Sequence, residues 1–441
     1  MSRAVVRTLA DVADIRVSNV DKKSLPDERA VTLCNYMDVY ANDYITAGLP
    51  FMEATAAAAE QARFGLAKGD VLLTKDSESP DDIGVPAVVT EDIDGLVCGY
   101  HLAMARPDTR QVDPQYLCKQ LGSPAAARYF AQRAAGSTRY GLSLATLRNI
   151  PVPLPPIEHQ QRIGSILRTA DTAIEKTEAL IHKYQQIEAG LMHDLFTRGI
   201  GPDGQLRSPR EQAPELYQET PIGWIPIEWA EIPAATVLAS AVDGPFGSNL
   251  KTEHYVPAAG VRVVRLQNIQ ESEYNDLDRA FVSEAHAGSL LRHQVLPGDI
   301  LVAGLGEERY PVGRSCVYPD QLPPAINKAD CFRIRADSTL ALNHYVSLFL
   351  NSALARRQIR RYEQGVTRPR INLGNLKRVS VTLPSLPEQQ MIVDRWKSAS
   401  AQVDSYKWEK RKLQKLKAGL MTALLSSDAD PSTAAKLKAD V

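Results

Sequence analysis

The residues Leu154-Pro155-Pro156-Ile157-Glu158-His159-Gln160-Gln161-Arg162-Ile163 return later in the chain as Leu383-Pro384-Ser385-Leu386-Pro387-Glu388-Gln389-Gln390. Gln160-Gln161 and Gln389-Gln390 stand 229 residues apart. The same offset carries Gly69-Asp70 onto Gly298-Asp299 and Gly136-Ser137-Thr138-Arg139 onto Gly365-Val366-Thr367-Arg368. It also carries Leu144 and Leu147 onto Leu373 and Leu376, and Ala189-Gly190-Leu191-Met192 onto Ala418-Gly419-Leu420-Met421. Chance explains one such match, whereas a string of them at one offset means duplication. The period far exceeds the ~20–50 residues of stacking repeats, so each copy is a domain-sized unit.

Each copy ends in a long heptad pattern. In the first, Ile163, Ala170, Thr177, Tyr184 and Leu191 form one row, and Leu167, Ile174, Ile181, Glu188 and Leu195 its companion. In the second, the rows are Ile392, Ala399, Tyr406, Leu413, Leu420 and Trp396, Val403, Lys410, Lys417, Leu424. Five heptads predict coiled-coil helices, each roughly 60 Å long at ~1.5 Å per residue. Pro155-Pro156 precedes the first, and Gly199, Gly201 and Pro202 follow it, as helix boundaries require. The spacer residues expected between the helices are Ile163, Leu167, Ile174, Ile181, Tyr184, Leu191, Ile392, Trp396, Val403, Leu413 and Leu420. The helices either pack on each other or each packs on its own domain. The front parts read as mixed α/β with short strands: Val71-Leu72-Leu73 follows a Gly-Asp turn, as does Ile300-Leu301-Val302, and Val261–Leu266 alternates arginine with apolar residues like an exposed strand.

The 441 residues are 44% hydrophobic and carry a formal net charge of −1. That composition builds a sizeable core and excludes a uniformly basic coat, but not local basic patches. The five cysteines, Cys34, Cys98, Cys118, Cys316 and Cys331, form no C-x-x-C pair; a scattered odd set suits reduced thiols in a cytoplasm, and no metal site is expected. The first residues lack the apolar core of a signal peptide, and no apolar run reaches the ~20 residues of a membrane helix.

Between Arg356 and Arg378 lie Arg356, Arg357, Arg360, Arg361, Arg368, Arg370, Lys377 and Arg378, opposed by Glu363 alone; the matching window holds Arg128, Arg133, Arg139 and Arg148 without an acid. Repeated local cations suit phosphate contacts, although most charge runs are solvated helix faces. Asp243-Gly244-Pro245-Phe246-Gly247-Ser248-Asn249-Leu250-Lys251 reads as a loop whose amides can approach phosphates. Arg265-Leu266-Gln267-Asn268 offers the side chains that bond guanine and adenine bidentately. The DNA-facing candidates are Lys22, Lys23, Lys75, Arg139, Ser248, Asn249, Lys251, Arg262, Arg265, Asn268, Arg314, Lys328, Arg368 and Arg370. No catalytic residue is assigned.

These residues together resemble the specificity (S) subunit of Type I restriction–modification enzymes. The resemblance rests on Val152–Ile163 and Thr382–Gln390 as helix entries, Gly190-Leu191-Met192-His193-Asp194-Leu195-Phe196-Thr197 as a helix end, and Gly223-Trp224-Ile225-Pro226-Ile227-Glu228-Trp229 as a domain start. Asp243–Lys251 and Val31–Tyr40 are also similar to the family. It covers nearly the whole chain. His159 and Glu158 depart from Glu388 and Pro387, and the first copy offers Asp14–Asn19 where the second has Gly244-Pro245-Phe246-Gly247-Ser248. The family resemblance implies an α/β (mixed α+β) fold: a tandem repeat in pseudo-two-fold arrangement, with two target-recognition domains, each followed by a long helix, and the helices packed as an antiparallel coiled coil. The expected divisions are 1–156 (first recognition domain), 157–198 (first spacer helix), 199–220 (linker), 221–386 (second recognition domain), 387–427 (second spacer helix) and 428–441 (flexible tail). It further implies a cytoplasmic, prokaryotic, non-catalytic subunit that binds double-stranded DNA at two unlike half-sites separated by a gap. Two modification subunits would carry S-adenosylmethionine and methylate adenine. Restriction subunits would add ATP- and Mg-dependent translocation and cleavage.

Three rivals remain at this level. Ile300-Leu301-Val302-Ala303-Gly304-Leu305-Gly306, a strand with G-x-G, suits a methyltransferase acting alone, although no Asp/Asn-Pro-Pro-aromatic motif is present. Asp21-Lys22-Lys23 has the acid-x-lysine spacing of a nuclease, without an assignable second acid. A coiled-coil assembly protein explains the helices but not the paired basic windows. No Gly-Lys pair exists, which argues against a P-loop.

Overall fold

The computed structural model describes residues 5–257, 260–307 and 310–425; the tail expected over 428–441 lies outside them. The chain forms two compact units. One holds the residues up to Ala179 together with those from Tyr406 onward, and the other holds Leu180–Ser405.

In the first unit the strands Ala13–Val17, Leu102–Pro107, Val71–Thr74, Pro86–Val89 and Tyr44–Ile45 lie side by side in that order, and Met52–Ala56, Arg29–Cys34 and Leu96–Cys98 make a second sheet. Val71–Thr74 is buried along its whole length, which explains why it reads as a continuous apolar run rather than an alternating one. The turn before it is fixed by Asp70. Its buried carboxylate accepts from the Ala67 amide at 2.8 Å and from the Arg106 guanidinium at 2.6 and 2.8 Å. The helix Pro114–Leu121 starts with proline at its first turn and Asp113 capping the Tyr116 amide, a favoured start.

The second unit repeats the central strand pairs within sheets of four and five strands. Leu238–Val242, Cys331–Ala336, Ile300–Ala303 and Ser315–Val317 form one sheet; Tyr255–Val256, Phe281–Val282, Val261–Val264, Ala325–Asn327 and Gln294–Val295 form the other. Asp299 accepts from the Leu296 amide and pairs with Arg335 as Asp70 does with Arg106. The register of the repeat is uniform only from the Gly-Asp turn onward. The pair Val5↔Leu154 matches Ala230↔Leu383, so the opening strand sits at an offset of 225. Thr32↔Leu96 matches Arg262↔Ala325, an offset of 230. Insertions and deletions in the first third of each copy therefore place the front strands outside the common offset.

Two long helices, Ile157–Thr197 and Leu386–Leu425, each contribute one half to each unit. The first ends where Gly199 takes a positive φ of 64°, the usual helix stop. Within the first unit Asp171 bonds Lys417 at 2.5 Å and Glu178 bonds Lys410 at 2.6 Å; the numbers run in opposite senses, so the helices are antiparallel. Both packing options read from the heptads are realised. Ile163 and Leu167 enter the core of the first unit beside Val152 and Tyr116, and Leu420, Leu424 and Leu425 join the same core. In the second unit Ile392 and Val393 share a core with Leu195 and Phe196, with Leu191 and Trp396 at its edge. Each such buried side chain stabilises by about 2 kcal/mol. Val403 is buried, while Ile174, Ile181, Tyr184 and Leu413 are only half-buried.

The seam also contains charge. Lys119 lies 2.7 Å from both Asp43 and Asp171, Lys417 is 3.0 Å from Asp43, and the Tyr44 hydroxyl donates to Asp171 at 2.6 Å. Burial pushes the Asp43 carboxyl up, but Lys119 and Lys417 together hold it below its ordinary value. In the second unit Glu388 accepts from the Ile200 amide, the Trp229 indole and Arg207. It thereby fastens residues 199–207 to the start of the second helix. The segment read as a linker is thus folded, and it ends in the hairpin Tyr217–Thr220 with Gly223–Pro226.

The glutamine that opened the sequence comparison ties helix to domain in both units. Gln160 donates to the Gln111 and Pro155 carbonyls at 3.1 and 2.8 Å and accepts from the Asp113 amide at 2.9 Å. Gln389 donates to the Leu340 and Pro384 carbonyls, both at 3.0 Å, and accepts from the Leu342 amide at 2.9 Å. Gln160→Leu would strand one buried amide and two carbonyls, costing about 3 kcal/mol. Hydrogen exchange should then show lost protection at Val71–Thr74 and Leu102–Pro107, with Ile300–Ala303 and Cys331–Ala336 unchanged. Equal loss in both units would contradict a local clamp.

Candidate nucleic-acid interface

The best-matched exposed feature of the two units is a short loop. Gly136-Ser137-Thr138-Arg139 and Gly365-Val366-Thr367-Arg368 close equivalent hairpins, since Ala135↔Gly141 corresponds to Gln364↔Arg370 and Asp76↔Gly141 to Leu305↔Arg370. Gly136 and Gly365 take φ of 145° and 89°, and a Cβ would lie 2.0 and 3.0 Å from the carbonyls of Arg139 and Arg368, so both turns require glycine. The four-residue tip is exposed in each unit, Arg139 and Arg368 included. Neither arginine has an ion pair among those of the described residues. A free guanidinium on a rigid exposed turn is suited to a phosphate.

Around the loop of the second unit, three other segments converge. Gly244 approaches the Lys328 backbone so closely that a Cβ would clash at 1.9 Å. Asp243 accepts from the Gly244 and Asp330 amides, and Arg370 pairs with Asp330 at 2.5 Å. Burial raises the Asp243 carboxyl to about 6, with Asp330 adding to the rise and Arg370 opposing it. Phe246 projects from the same loop, 54% exposed, and Ser248, Asn249 and Lys251 follow it on the surface. The Asn249 carbonyl lies 2.9 Å from His286 Nε2, and the Lys251 amide donates to His254 at 3.1 Å, so this stretch is held in place. Lys328 lies over the Tyr255 ring.

In the first unit, Lys22 and Lys23 are exposed, and Asp21 caps the Lys23 amide. Lys75 is half-buried, bonded to Asp76 and placed over the Tyr100 ring.

Three candidates belong to the interior instead. Arg314 is 4% exposed, and its guanidinium donates to the carbonyls of Ile269, Leu266, Leu305, Tyr310 and Pro311. Arg262 is 5% exposed and pairs with Asp276 at 2.5 Å; the alternation over 261–266 is therefore not an exposed strand face. Asn268 is fully buried, accepting from the Arg265 amide and donating to the Asn275 and Asp278 carbonyls. Each is consumed by backbone or an acid that the sequence could not place beside it. Arg265 keeps partial exposure but pairs with Asp278. Sequence reading missed Tyr36, Asp76 and His101, which line a cleft beside Arg139; their separation in sequence left no local signal.

The rival motifs also acquire a structural reading. Ile300–Ala303 is antiparallel to both neighbours and is followed by another strand. Gly304 packs on the Phe332 ring and Gly306 on the backbone near Val312, so this G-x-G lacks the strand-to-helix setting of a nucleotide loop. Among the described residues no three His, Cys, Asp or Glu side chains are grouped to hold a metal. None of their helices is long and apolar enough to cross a membrane.

A family model described as the Type I restriction modification DNA specificity domain matches residues 1–188 and 298–418. The chain is 23% identical over 377 residues to a Methanocaldococcus jannaschii protein named as a candidate specificity subunit of the type I restriction enzyme MjaX, covering 83% of this chain and 79% of that one. The fold is similar to the S subunit of the Type I restriction–modification system from M. genitalium, with a TM-score of 0.55, 14% identity, and 97% and 96% of the two chains covered. It is also similar to a chain from a structural study of the assembly and conformational transition of the type I system, with a TM-score of 0.57, 15% identity, and 97% and 99% covered.

Two outcomes are expected from these placements. Arg368→Ala keeps its melting temperature but weakens binding to duplex DNA and reduces the salt slope by about one, while Arg314→Ala lowers stability before it affects binding. Equal effects of the two on stability would erase the distinction. Asp243 protonates more readily folded than unfolded, so its contribution to stability declines as pH rises from about 4 through about 6. Asp243→Asn should flatten that part of a denaturation-versus-pH profile and raise stability above pH 6.

Proposed function

The chain belongs to the Type I restriction–modification DNA specificity family, and from that premise we propose that it recognises a two-part DNA target, one unlike half-site per unit. The observation that supports this reading is the repeat itself. The two units keep the same central strand pairs, the same glutamine clamp and the same exposed Gly-x-Thr-Arg loop, and differ in the side chains around that loop. Shared cations on rigid turns supply sequence-independent phosphate affinity and register. Differing neighbours supply base choice through groove hydrogen bonds.

The chain then acts as an address in the cytoplasm and leaves catalysis to its partners. Two modification subunits bind it, hold S-adenosylmethionine and methylate adenine within the target; restriction subunits supply the ATP- and Mg-dependent translocation and cleavage. In this chain Lys22, Lys23, Arg139, Ser248, Asn249, Lys251, Lys328, Arg368 and Arg370 are the DNA-facing residues, with Lys75 and Arg265 acting through their paired acids.

The test is a methylome of a host expressing the chain with its modification subunits. The expected result is one adenine-methylated motif of two unlike halves at a fixed gap. Replacing residues 1–156 with the corresponding domain of a relative should change one half and keep the other. Methyl transfer by the purified chain alone, or a complex without sequence-dependent DNA binding, would overturn the proposal.

A further inference from the structure

The first unit contains a cleft of about 620 Å³ beside the Arg139 loop, lined among others by Asn35, Tyr36, Asp76, Ser77 and His101. Its floor is the short strand Asp76–Ser77, paired with Tyr140–Gly141. One wall is the helix Tyr36–Tyr40, whose two tyrosines stack at 5.5 Å. Within it, one Asp76 oxygen, Oδ2, accepts from Lys75 Nζ at 2.8 Å and lies 2.9 Å from His101 Nδ1. Lys75 and His101 keep this carboxyl below its ordinary range although burial opposes them. The other oxygen, Oδ1, has no hydrogen-bond partner among the described residues, and the side chain is 20% exposed.

A bare carboxylate beside DNA would be repelled by the phosphates. Here Lys75 offsets the charge and leaves one acceptor directed by a fixed ion pair. An ionised carboxylate only accepts. In the major groove it bonds the exocyclic amines of cytosine and adenine and is repelled by the O6 and N7 acceptors of guanine and the O4 acceptor of thymine.

The second unit keeps the scaffold of this cleft and changes its lining. The bridge Leu305↔Arg370 occupies the place of Asp76↔Gly141, so Leu305 stands where Asp76 does, Gly304 where Lys75 does and Asp330 where His101 does. Arg265, whose amide is capped by Asn268 as the Asn35 amide is capped by Asp38, stands where Asn35 does. The neighbouring arginines, Arg139 and Arg368, are the same. A framework kept in register around an altered lining is where two half-sites would be told apart.

We propose that Asp76 is a specificity-determining residue that accepts a hydrogen bond from the exocyclic amine of an adenine or cytosine in the half-site read by the first unit. This rests on the two-part recognition described above. The full chain, assembled with its modification subunits, would be bound to duplexes randomised at each half-site and the bound fraction sequenced. Wild type should require an amine-bearing base at one position of one half. Asp76→Ala, which removes the acceptor, should relax that preference roughly tenfold while leaving the other half and non-specific binding unchanged. Asp76→Glu, which keeps acceptor-only chemistry, should retain the preference at reduced affinity; it also serves as the variant if Asp76→Ala fails to fold. Duplexes with purine lacking the 6-amino group, or pyrimidin-2-one lacking the 4-amino group, then separate the two bases: one of them should weaken wild type and leave Asp76→Ala unaffected. If wild type shows two-part preference and neither Asp76 variant alters any position, this inference fails alone. If wild type shows no sequence preference, the functional reading fails with it.

Discussion

Everything in each unit depends on one buried primary amide at the start of a long helix. A glutamine side chain has two donors and an acceptor at one end, and the site uses both kinds. Two carbonyls and one amide from the strand and loop before the helix converge on Gln160, and the equivalent three converge on Gln389. Glutamate would lose the donors and leucine would lose all three bonds, stranding buried backbone groups. The domain is thereby held on its helix by a short-range polar constraint, and the apolar packing of Ile163, Leu167, Ile392 and Val393 follows from that placement.

Around this constraint the units repeat closely. Tyr116 donates to the Pro153 carbonyl and Tyr345 to that of Thr382; Asp70 pairs with Arg106 and Asp299 with Arg335. These are buried side chains, and their substitution would leave unpaired groups in a core. The loops at the Gly-x-Thr-Arg end have no such restriction. There Asp76 and His101 in one unit give way to Leu305 and Asp330 in the other. The helical seams differ too: the first unit adds Lys119, Lys417, Asp43 and Asp171, the second Arg207 and Glu388. A buried ion set of this kind is weak evidence of stability but specifies geometry, because leaving one charge unpaired is costly.

Much of this was legible in the residues. The repeat, the long helices, the Gly-Asp turns and the Gly-x-Thr-Arg loops all depend on local spacing, and all of them appear in the structure. The front strands carry no such common spacing, because the register moves from 225 to 230 before settling at 229. The errors concern charge. Arg262 and Arg314 read as DNA-facing cations in sequence, yet Asp276 and a ring of carbonyls enclose them. Asn268 spends all its bonds on capping and bracing the turn that contains it.

Two copies, a long helix at the end of each, and an arginine on the same glycine turn of both are written in the residues alone. Periodicity and turn chemistry are local properties, so they survive without coordinates. Which cations are free and which are bound emerges on folding, because an arginine's role depends on acids and carbonyls brought to it from distant parts of the chain. Asp76 and His101 are 25 residues apart, and Arg139 is farther still. No spacing rule joins them, and only the folding of the sheet places them on one cleft.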